Sequence, residues 1–492
     1  MTHRGRPAWL IDATTYRKPL DREVQQHKDR FFRLETVART GHRGIRATQP
    51  RGTRTYSAGL LRIATILAAS GYRVAYMRIE DAAARLAESA GDDLPGVLAF
   101  GAVCPTVPAC AALAAAARER AGDARIVLGG AHAVVAPELT RARYPGVFDE
   151  VVSGFDVDAA AALVGEPPAA LAAPARHLDY DLLPLPLREY GVNLMTASGC
   201  PFTCNYCQDR LVPRLRTAPD GGLGDLLDRL PRGTPVHFCD SVLGGGARRA
   251  MEVCAALAEL DHGMVLSCDL RPELVSVPLL EALGRAGFGE IRLGLDSADS
   301  DVLVTARREV APRRFPRVLQ TIRDTSELYV SIYMVTGLPG STHATLQSNL
   351  DVVACLLEER LADQVKHHVY VPYPTDRCHT GTPEARILSH DWSRYDRNSF
   401  PVYDLDGLGA DDIWAAFLAM EEGINTSWTK ALDVGLDMVE AMPRYPDYNG
   451  AVYLDERPGD SSDDRPGDHP ADRHGESGAD GAAAPGGAAT LA

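Results

Sequence analysis

The stretch SGCPFTCNYCQD, residues 198–209, places Cys200, Cys204 and Cys207 in a C-x3-C-x2-C pattern. Thiolates are soft ligands that suit zinc or iron–sulfur clusters. A structural zinc site takes four ligands, usually as two close pairs, and the sequence has no second pair of this kind. Three grouped thiolates therefore predict an iron–sulfur cluster with one iron open for chemistry. Structural zinc and chance clustering remain the alternatives.

The cysteine stretch follows VNLMTAS (192–198), which has the apolar character of a buried strand. Five more strand-like segments come after it: PVHFCD (235–240), VLSCDL (265–270), EIRLGLD (290–296), VSIYMVTGLPG (330–340) and VKHHVYVPYP (365–374). Their spacing leaves room for a helix between each pair, which predicts a partial or full β/α barrel over residues 191–377. Active sites of such barrels lie at the carboxyl ends of the strands, where the cysteines fall.

Residues 1–165 also alternate between strand and helix patterns. Strand-like segments are AWLIDATT (8–15), YRVAYMRI (72–79), GVLAFGAV (96–103) and RIVLGG (125–130), and helical periodicity is seen in 57–71 and 108–122. The alternation predicts an α/β fold, a doubly wound parallel sheet with helices on both faces. Ligands of such sheets bind at the carboxyl ends of the strands. The polar stretch after the first strand, to about Tyr56, predicts a long loop.

The rest of the chain predicts accessory regions. Residues 166–190 are proline-rich and predict a linker, 378–456 predict a small, mostly helical capping region, and 457–492 predict a disordered tail. The net charge is 51 − 66 = −15 with no basic stripe, which argues against a nucleic-acid partner. The sequence has no membrane-length apolar run and no signal-peptide core, so we expect a cytoplasmic protein without a membrane partner.

The cysteine motif at the end of a first barrel strand, with Tyr206 before its third cysteine, resembles the radical S-adenosylmethionine (SAM) superfamily. IRLGLDSAD (291–299) and YMVTGLPGST (333–342) are similar to the segments of that family that contact the ribose and adenine of SAM. The sheet-forming region before the barrel resembles the subgroup that carries an N-terminal cobalamin-binding domain. This resemblance covers about residues 8–380.

The resemblance implies a cofactor set and residue roles. The three cysteines would hold a [4Fe-4S] cluster whose fourth iron binds SAM. Tyr206 would lie beside the adenine, Asp296 and Ser297 would contact the ribose, and Gly337 and Gly340 would approach the cofactor. Packing of a loop aromatic, a turn cap and a simple turn are the respective structural alternatives.

Cobalamin is left open by the sequence. No Asp-x-His-x-x-Gly loop, whose histidine ligates cobalt in methionine-synthase-like domains, occurs before residue 165. His132 in GGAHAV is expected to satisfy a turn. SGFDVD (153–158) stands where the subgroup has an acidic turn, and the long first loop is large enough to fill a cofactor cleft.

The resemblance implies an enzyme that generates a 5′-deoxyadenosyl radical and abstracts hydrogen from an unactivated carbon of a natural product. A flavodoxin or ferredoxin would donate the electron. The missing cobalt-ligating motif, the altered acidic turn and the long first loop are departures from the cobalamin-binding subgroup. They favour radical dehydration of an aminoglycoside-type sugar diol in antibiotic biosynthesis, a lyase reaction like that of the apramycin-pathway dehydratase. The alternative is a cobalamin-dependent radical SAM C-methyltransferase, and a cobalamin or iron–sulfur sensor is a remote third.

The sequence does not assign the acid–base residue. Candidates in loops at strand ends are Asp240, Asp269, Tyr333, His367, Tyr370, Tyr373 and Cys378.

Overall fold

In the computed structural model, two successive parallel sheets are followed by a two-stranded hairpin and two helices. The structure describes residues 5–14, 20–41, 55–154, 156–172, 178–187, 190–308, 311–374 and 384–442, which all belong to one compact unit. The predicted tail, the first part of the capping region with Cys378, and parts of the linker lie outside the described residues.

The first sheet is parallel throughout and has the strand order β2-β1-β3-β4-β5. Its strands are β1 (Ala8–Asp12), β2 (Val74–Arg78), β3 (Val97–Gly101), β4 (Arg125–Gly129) and β5 (Glu150–Val151). The helices of this region are α1 (Arg22–Gly41), α2 (Ala58–Ala69), α3 (Ile79–Glu88), α4 (Val107–Arg120), α5 (Ala131–Val135), α6 (Pro137–Arg143) and α7 (Asp156–Val164). This strand order is that of a doubly wound sheet, which confirms the predicted α/β class.

Both faces of this sheet are buried. Successive residues of β1 point to opposite faces, and they join two different apolar clusters: Leu10 lies in one with residues of α2 and α7, and Ile11 in the other with residues of α3 and α4. The continuous apolar runs in the sequence follow from this double covering.

The second sheet is an open, six-stranded parallel sheet in the order β11-β10-β9-β8-β7-β6. Its strands are β6 (Val192–Leu194), β7 (Pro235–Phe238), β8 (Val265–Leu270), β9 (Phe288–Asp296), β10 (Tyr329–Thr336) and β11 (Gln364–Val369). The helices between them are α8 (Ala247–Ala258), α9 (Val277–Arg285), α10 (Ser300–Thr305), α11 (Phe315–Thr325) and α12 (His343–Glu358). The partial barrel is therefore confirmed.

The prediction of a helix between every pair of barrel strands was wrong in one place. Between β6 and β7 the chain forms only short 3-10 turns, Gln208–Leu211 and Leu223–Leu226. The three cysteines lie in this irregular connection, which contains no α-helix.

After the barrel come the hairpin β12 (Ala385–Ile387) with β13 (Tyr403–Leu405), and the helices α13 (Ala410–Leu432) and α14 (Leu436–Ala441). Helices α1 and α13 pack together: Lys28 Nζ lies 2.9 Å from Glu421 Oε1, and the rings of Phe31 and Trp428 are 5.1 Å apart. No helix in the described part of the chain is long and apolar enough to cross a bilayer.

Helix α1 corrects the prediction of a long loop after β1. Its buried residues Val24, Phe31, Leu34 and Ala38 recur at helical spacing, but the many charged residues between them hid this period. The helix fixes the first half of the chain to the barrel, because its side chains reach both α13 and the barrel strands.

Candidate functional site

A buried carboxylate holds the start of the cysteine loop. Asp240, just after β7, accepts hydrogen bonds from the backbone nitrogens of Thr196 (2.7 Å), Ala197 (3.1 Å) and Gly244 (2.8 Å). Burial raises the pKa of Asp240, although these hydrogen bonds act in the opposite direction. Asp240 was one of the acid–base candidates, and its contacts give it the role of holding the start of the cysteine loop.

The three cysteines lie on one tight loop. Cys204 is buried and Cys200 and Cys207 are half-buried, all as free thiols. Gly199 has φ +67, and a side chain there would come within 2.4 Å of Val212 O, so only glycine lets the following segment fold back. Burial raises the pKa of Cys200, and that of Cys207 to about 12.

The sulfur donors of the loop are three free cysteines. Within the described ranges, no three His, Cys, Asp or Glu side chains are close enough to bind one metal ion. Cysteines that hold a [4Fe-4S] cluster bind different irons and therefore stand further apart than ligands of one ion. The assignment of Cys200, Cys204 and Cys207 as cluster ligands stays a prediction.

Arg271, which the sequence reasoning missed, contacts the cysteine loop from the end of β8. Its Nη1 lies 3.5 Å from Sγ of Cys204, and its guanidinium lies 3.8 Å from the ring centroid of Phe202. Its Nε donates to Glu273 at 3.1 Å. A buried cation thus lies against the central cysteine of the motif.

Tyr206 and Asp296, predicted separately from two motifs, meet in the structure. The Tyr206 hydroxyl donates to Asp296 Oδ2 at 2.8 Å, and Arg308 Nε donates to the same oxygen at 2.6 Å. Burial and the Asp296 charge raise the pKa of Tyr206 well above its usual value. Asp296 has φ +67, a left-handed conformation that aspartate tolerates better than most residues. Arg308 was not identified from the sequence.

The remaining predicted cofactor residues form turns. The hydroxyl of buried Ser297 accepts from the backbone nitrogen of Asp299 at 3.1 Å, ahead of α10. Gly337 has φ +79, and a side chain there would lie 2.4 Å from the Tyr403 hydroxyl. Gly340 has φ +92 and precedes α12. These contacts match the structural alternatives, and contact of the three residues with SAM stays a prediction.

The inner face of the barrel is polar. Residues on one face of β7 to β11 keep partial exposure while their neighbours on the other face are buried. Four side chains on the inner face retain 13–24% exposure: His237, Asp269, Arg292 and Lys366. Tyr333 on the same face is also partly exposed. They share one face of the sheet, the inner face of the partial barrel, which we call the lumen.

The lumen side chains form a network of ion pairs and hydrogen bonds. His237 Nε2 lies 3.3 Å from both Asp269 Oδ2 and Arg292 Nη1. Arg292 Nε donates to Glu290 Oε1 at 3.0 Å, and Arg39 of α1 binds Glu290 from below. Asp269 Oδ1 is buried and has no hydrogen-bond partner in the part of the chain that the structure describes.

Lys366 is a further charged side chain of the lumen. Burial and nearby Arg292 lower the pKa of Lys366 to about 8. Asp269 and Tyr333 were among the sequence candidates, whereas Arg292, Lys366 and Glu290 were missed. The signal was present, because Glu290 and Arg292 alternate with apolar residues in EIRLGLD and must share one face of the strand.

The remaining acid–base candidates have other surroundings. His367 lies on the outer face of β11, where Nε2 is 2.7 Å from Thr336 Oγ1 and Nδ1 is 2.9 Å from Glu421 Oε1. Tyr370 is buried and Tyr373 is partly buried within the apolar cluster that contains β12 and β13. These contacts explain the three residues by packing and hydrogen bonding.

His132 satisfies a helix turn, as expected. It is 1% exposed, and its Nε2 lies 2.9 Å from Thr140 Oγ1. Thr140 donates its own proton to Ala136 O at 2.6 Å, so His132 Nε2 must be the donor. The ring of Trp392 covers the imidazole at 4.5 Å. Burial lowers the pKa of His132 to about 4.

The carboxyl edge of the first sheet faces the cysteine loop. Helix α5, which follows β4 at that edge, contacts the turn Gln208–Leu211 directly after the third cysteine. Gly130 makes this edge compact, since a side chain there would lie 2.4 Å from Ala102 N. The carboxyl edge of the first sheet therefore meets the cysteine loop at the carboxyl edge of the second.

Comparison with known proteins agrees with this architecture. Residues 47–164 match the family model for the B12 binding domain. The radical SAM methyltransferase TsrM from Kitasatospora setae, solved with tryptophan substrate and a SAM analog, superposes with a TM-score of 0.53 at 13% identity, over 84% of this chain and 89% of TsrM. A second TsrM structure, with cobalamin and a [4Fe-4S] cluster, gives a TM-score of 0.52 at the same identity and coverage.

A sequence relative also matches. An uncharacterized methyltransferase of Pyrococcus horikoshii is 21% identical over 313 residues, 55% of this chain and 66% of the relative. The chain thus spans just under two thirds of that protein's length. The structural likeness shows that this chain shares the TsrM fold, with a B12-binding-type sheet ahead of a radical SAM-type barrel.

Proposed function

From a B12-binding-type sheet joined to a radical SAM-type barrel, we propose that this protein is a cobalamin-dependent radical SAM methyltransferase that acts on a polar small molecule. The observation that carries the proposal is the contact of α5 with the turn Gln208–Leu211. It brings the cobalamin edge of one sheet next to the cluster loop of the other, as methyl transfer to a radical formed beside the cluster requires.

This proposal reverses the order of the two outcomes that the sequence favoured. Dehydration does not require a cobalamin site beside the cluster. Two sequence features that favoured dehydration, the long first loop and the missing cobalt ligand, no longer argue for it. Much of the predicted long first loop is helix α1 (Arg22–Gly41), which packs on α13. The absence of a cobalt-ligating histidine is compatible with cobalamin bound without a protein ligand. The match of residues 47–164 and the two methyltransferase relatives support the alternative.

The residues present fit the three cofactors. Cys200, Cys204 and Cys207 would hold the cluster, Tyr206 and Asp296 would border SAM, and the loops after β3 and β4 would border cobalamin. When bound, these groups supply a 5′-deoxyadenosyl radical and a transferable methyl group. His132 is buried, its Nε2 is hydrogen-bonded to Thr140, and its Nδ1 has no hydrogen-bond partner among the described residues.

The lumen supports a polar substrate. Its cations and anions lie close to one another, and Asp269 Oδ1 is an acceptor with no hydrogen-bond partner among the described residues. A buried acceptor without a donor costs free energy until a donor reaches it. We therefore expect an N–H or O–H group of the substrate to bind Asp269.

The test is anaerobic turnover by the full chain reconstituted with iron and sulfide, with and without methylcobalamin. The substrate panel includes aminoglycosides and tryptophan, and mass spectrometry follows product and by-products. Methyl transfer predicts a methylated product, 5′-deoxyadenosine and S-adenosylhomocysteine, all dependent on cobalamin. A dehydrated product with 5′-deoxyadenosine alone, formed equally without cobalamin, would restore the dehydratase.

A further inference from the structure

The segment after the third cysteine folds back over the cysteine loop and forms its outer surface. Cys200 N donates to Asp209 O at 3.0 Å, and Ser198 N donates to Leu215 O at 3.0 Å. Ala197 and Arg216 form an isolated antiparallel bridge. Whatever contacts residues 211–217 from solvent is therefore separated from the cysteines by a single layer of chain.

This outer surface is both basic and apolar. It continues onto the start of α8, because Arg249 Nη2 donates to Thr217 O at 2.9 Å. We call its exposed members the basic–apolar surface: Leu211, Arg214, Leu215, Arg216, Arg248 and Met251. Leu211, Leu215 and Met251 are 38%, 43% and 37% exposed. Exposed apolar side chains grouped with arginines are typical of protein interfaces.

The charge of this surface is opposite to that of the whole protein. The chain carries a net charge of −15, yet three exposed arginines meet here. The nearby carboxylate of Glu252 is already shared between Arg248 and Arg249, at 3.9 and 2.9 Å. The local excess of positive charge favours an acidic partner, and an acidic protein would otherwise be repelled by this chain.

We propose that the basic–apolar surface docks an acidic one-electron carrier protein. The inference rests on the proposed function, in which the cluster must take up one electron before SAM is cleaved. The reduced carrier loses one electron and the cluster gains it, so no other reactant is needed. The surface lies on the segment that is hydrogen-bonded to the cysteine loop, which places a bound carrier close to the cluster. Small, charge-steered interfaces are usual for such transient redox encounters.

The test variant reverses two charges, R216E with R248E. Both side chains are exposed, and neither contacts a cysteine. The matched control reverses two exposed arginines near α11, R313E with R317E, so both proteins change net charge equally. A third variant, L211S with L215S, removes apolar area without altering charge.

Flavodoxin is the probe, and two quantities are measured. The first is the Kd for oxidised flavodoxin at low and high salt, without SAM, cobalamin or substrate. The second is the rate of cluster reduction by reduced flavodoxin compared with dithionite. We expect R216E with R248E to weaken binding about tenfold at low salt and much less at high salt. The control should stay within about twofold, and L211S with L215S should weaken binding at both salt concentrations.

Dithionite should reduce the cluster of all variants at the wild-type rate. Equal weakening by the control pair, unchanged flavodoxin affinity of R216E with R248E, or tighter binding of duplex DNA than of flavodoxin would each overturn the proposal. Because binding and reduction are measured without turnover, failure to methylate any substrate would count against the proposed function and not against the docking surface.

Discussion

Arg271 and Cys204 are in contact: Nη1 of the arginine lies 3.5 Å from Sγ of the cysteine, and the arginine side chain is only 5% exposed. A buried guanidinium at the end of β8 thus touches the middle cysteine of a loop that starts after β6. Arg271 contacts the loop here, and Asp240 holds its start.

Replacing Arg271 with methionine should lower the reduction potential of the cluster, because a nearby positive charge stabilises the more negative, reduced state. Potentiometric titration followed by electron paramagnetic resonance measures this shift. R271K keeps the charge and should lie between wild type and R271M. An unchanged potential in R271M with full iron content would show that the contact only positions the loop.

Alanine at any one of Cys200, Cys204 or Cys207 should abolish the iron–sulfur absorbance and the cleavage of SAM, since two thiolates cannot hold the cluster. Cys254 is the matched control, a buried cysteine of α8 whose replacement by alanine should cost only about 1 kcal/mol of stability. Iron content and 5′-deoxyadenosine are the measurements. SAM cleavage by C204A at the wild-type rate would refute the cluster assignment.

Substitutions in the Tyr206–Asp296–Arg308 contact should have effects of different size on SAM binding and on stability. Y206F loses one hydrogen bond to a carboxylate, about 2 kcal/mol, and should weaken SAM binding. D296A leaves Arg308 buried without its partner and should lower the free energy of unfolding by about 3 to 5 kcal/mol. Urea unfolding and SAM titration separate these effects. Equal stability of D296A and wild type would mean that Arg308 finds another partner.

Asp269 should act on substrate and not on SAM. In D269N the lumen keeps its volume, but the free acceptor loses its charge, so KM for the methylated substrate should rise about tenfold or more. Uncoupled SAM cleavage, measured as 5′-deoxyadenosine without substrate, should be unchanged. Loss of that uncoupled cleavage in D269N would place Asp269 at the cofactors instead.

His132 predicts a pH dependence of stability. Burial lowers its pKa from 6.5 to about 4 in the folded chain, so the unfolded chain binds a proton first as pH falls. Its contribution is fully present above pH 6.5 and is lost by pH 4, a total of about 3 kcal/mol. H132L should remove this part of the dependence. Urea unfolding of both proteins from pH 8 to pH 5 measures it, and parallel curves would contradict the prediction.

The sequence by itself determined the position of four of the five strands of the first sheet and of all six strands of the second. The strands of the first sheet stand out because they are covered on both faces and form continuous apolar runs. The strands of the second sheet alternate between apolar residues and polar residues that face the lumen, and the C-x3-C-x2-C spacing marks the cysteine loop. These are local signals, carried by neighbours in the chain. The sequence pattern failed to predict helix α1. Charged residues lie between the apolar residues from Val24 to Ala38, and some of them pair with other elements, as Lys28 does with Glu421.

Only the tertiary structure decided which distant side chains meet. Arg271 with Cys204, Arg308 with Asp296 and Arg39 with Glu290 each join separate elements, and charge alone does not identify a partner among many arginines and carboxylates. Strand order and register bring Asp269 and Arg292 side by side in one lumen. The contact of α5 with the cysteine loop has the same origin, because an interface between two sheets is a property of their packing and leaves no periodic mark in either segment.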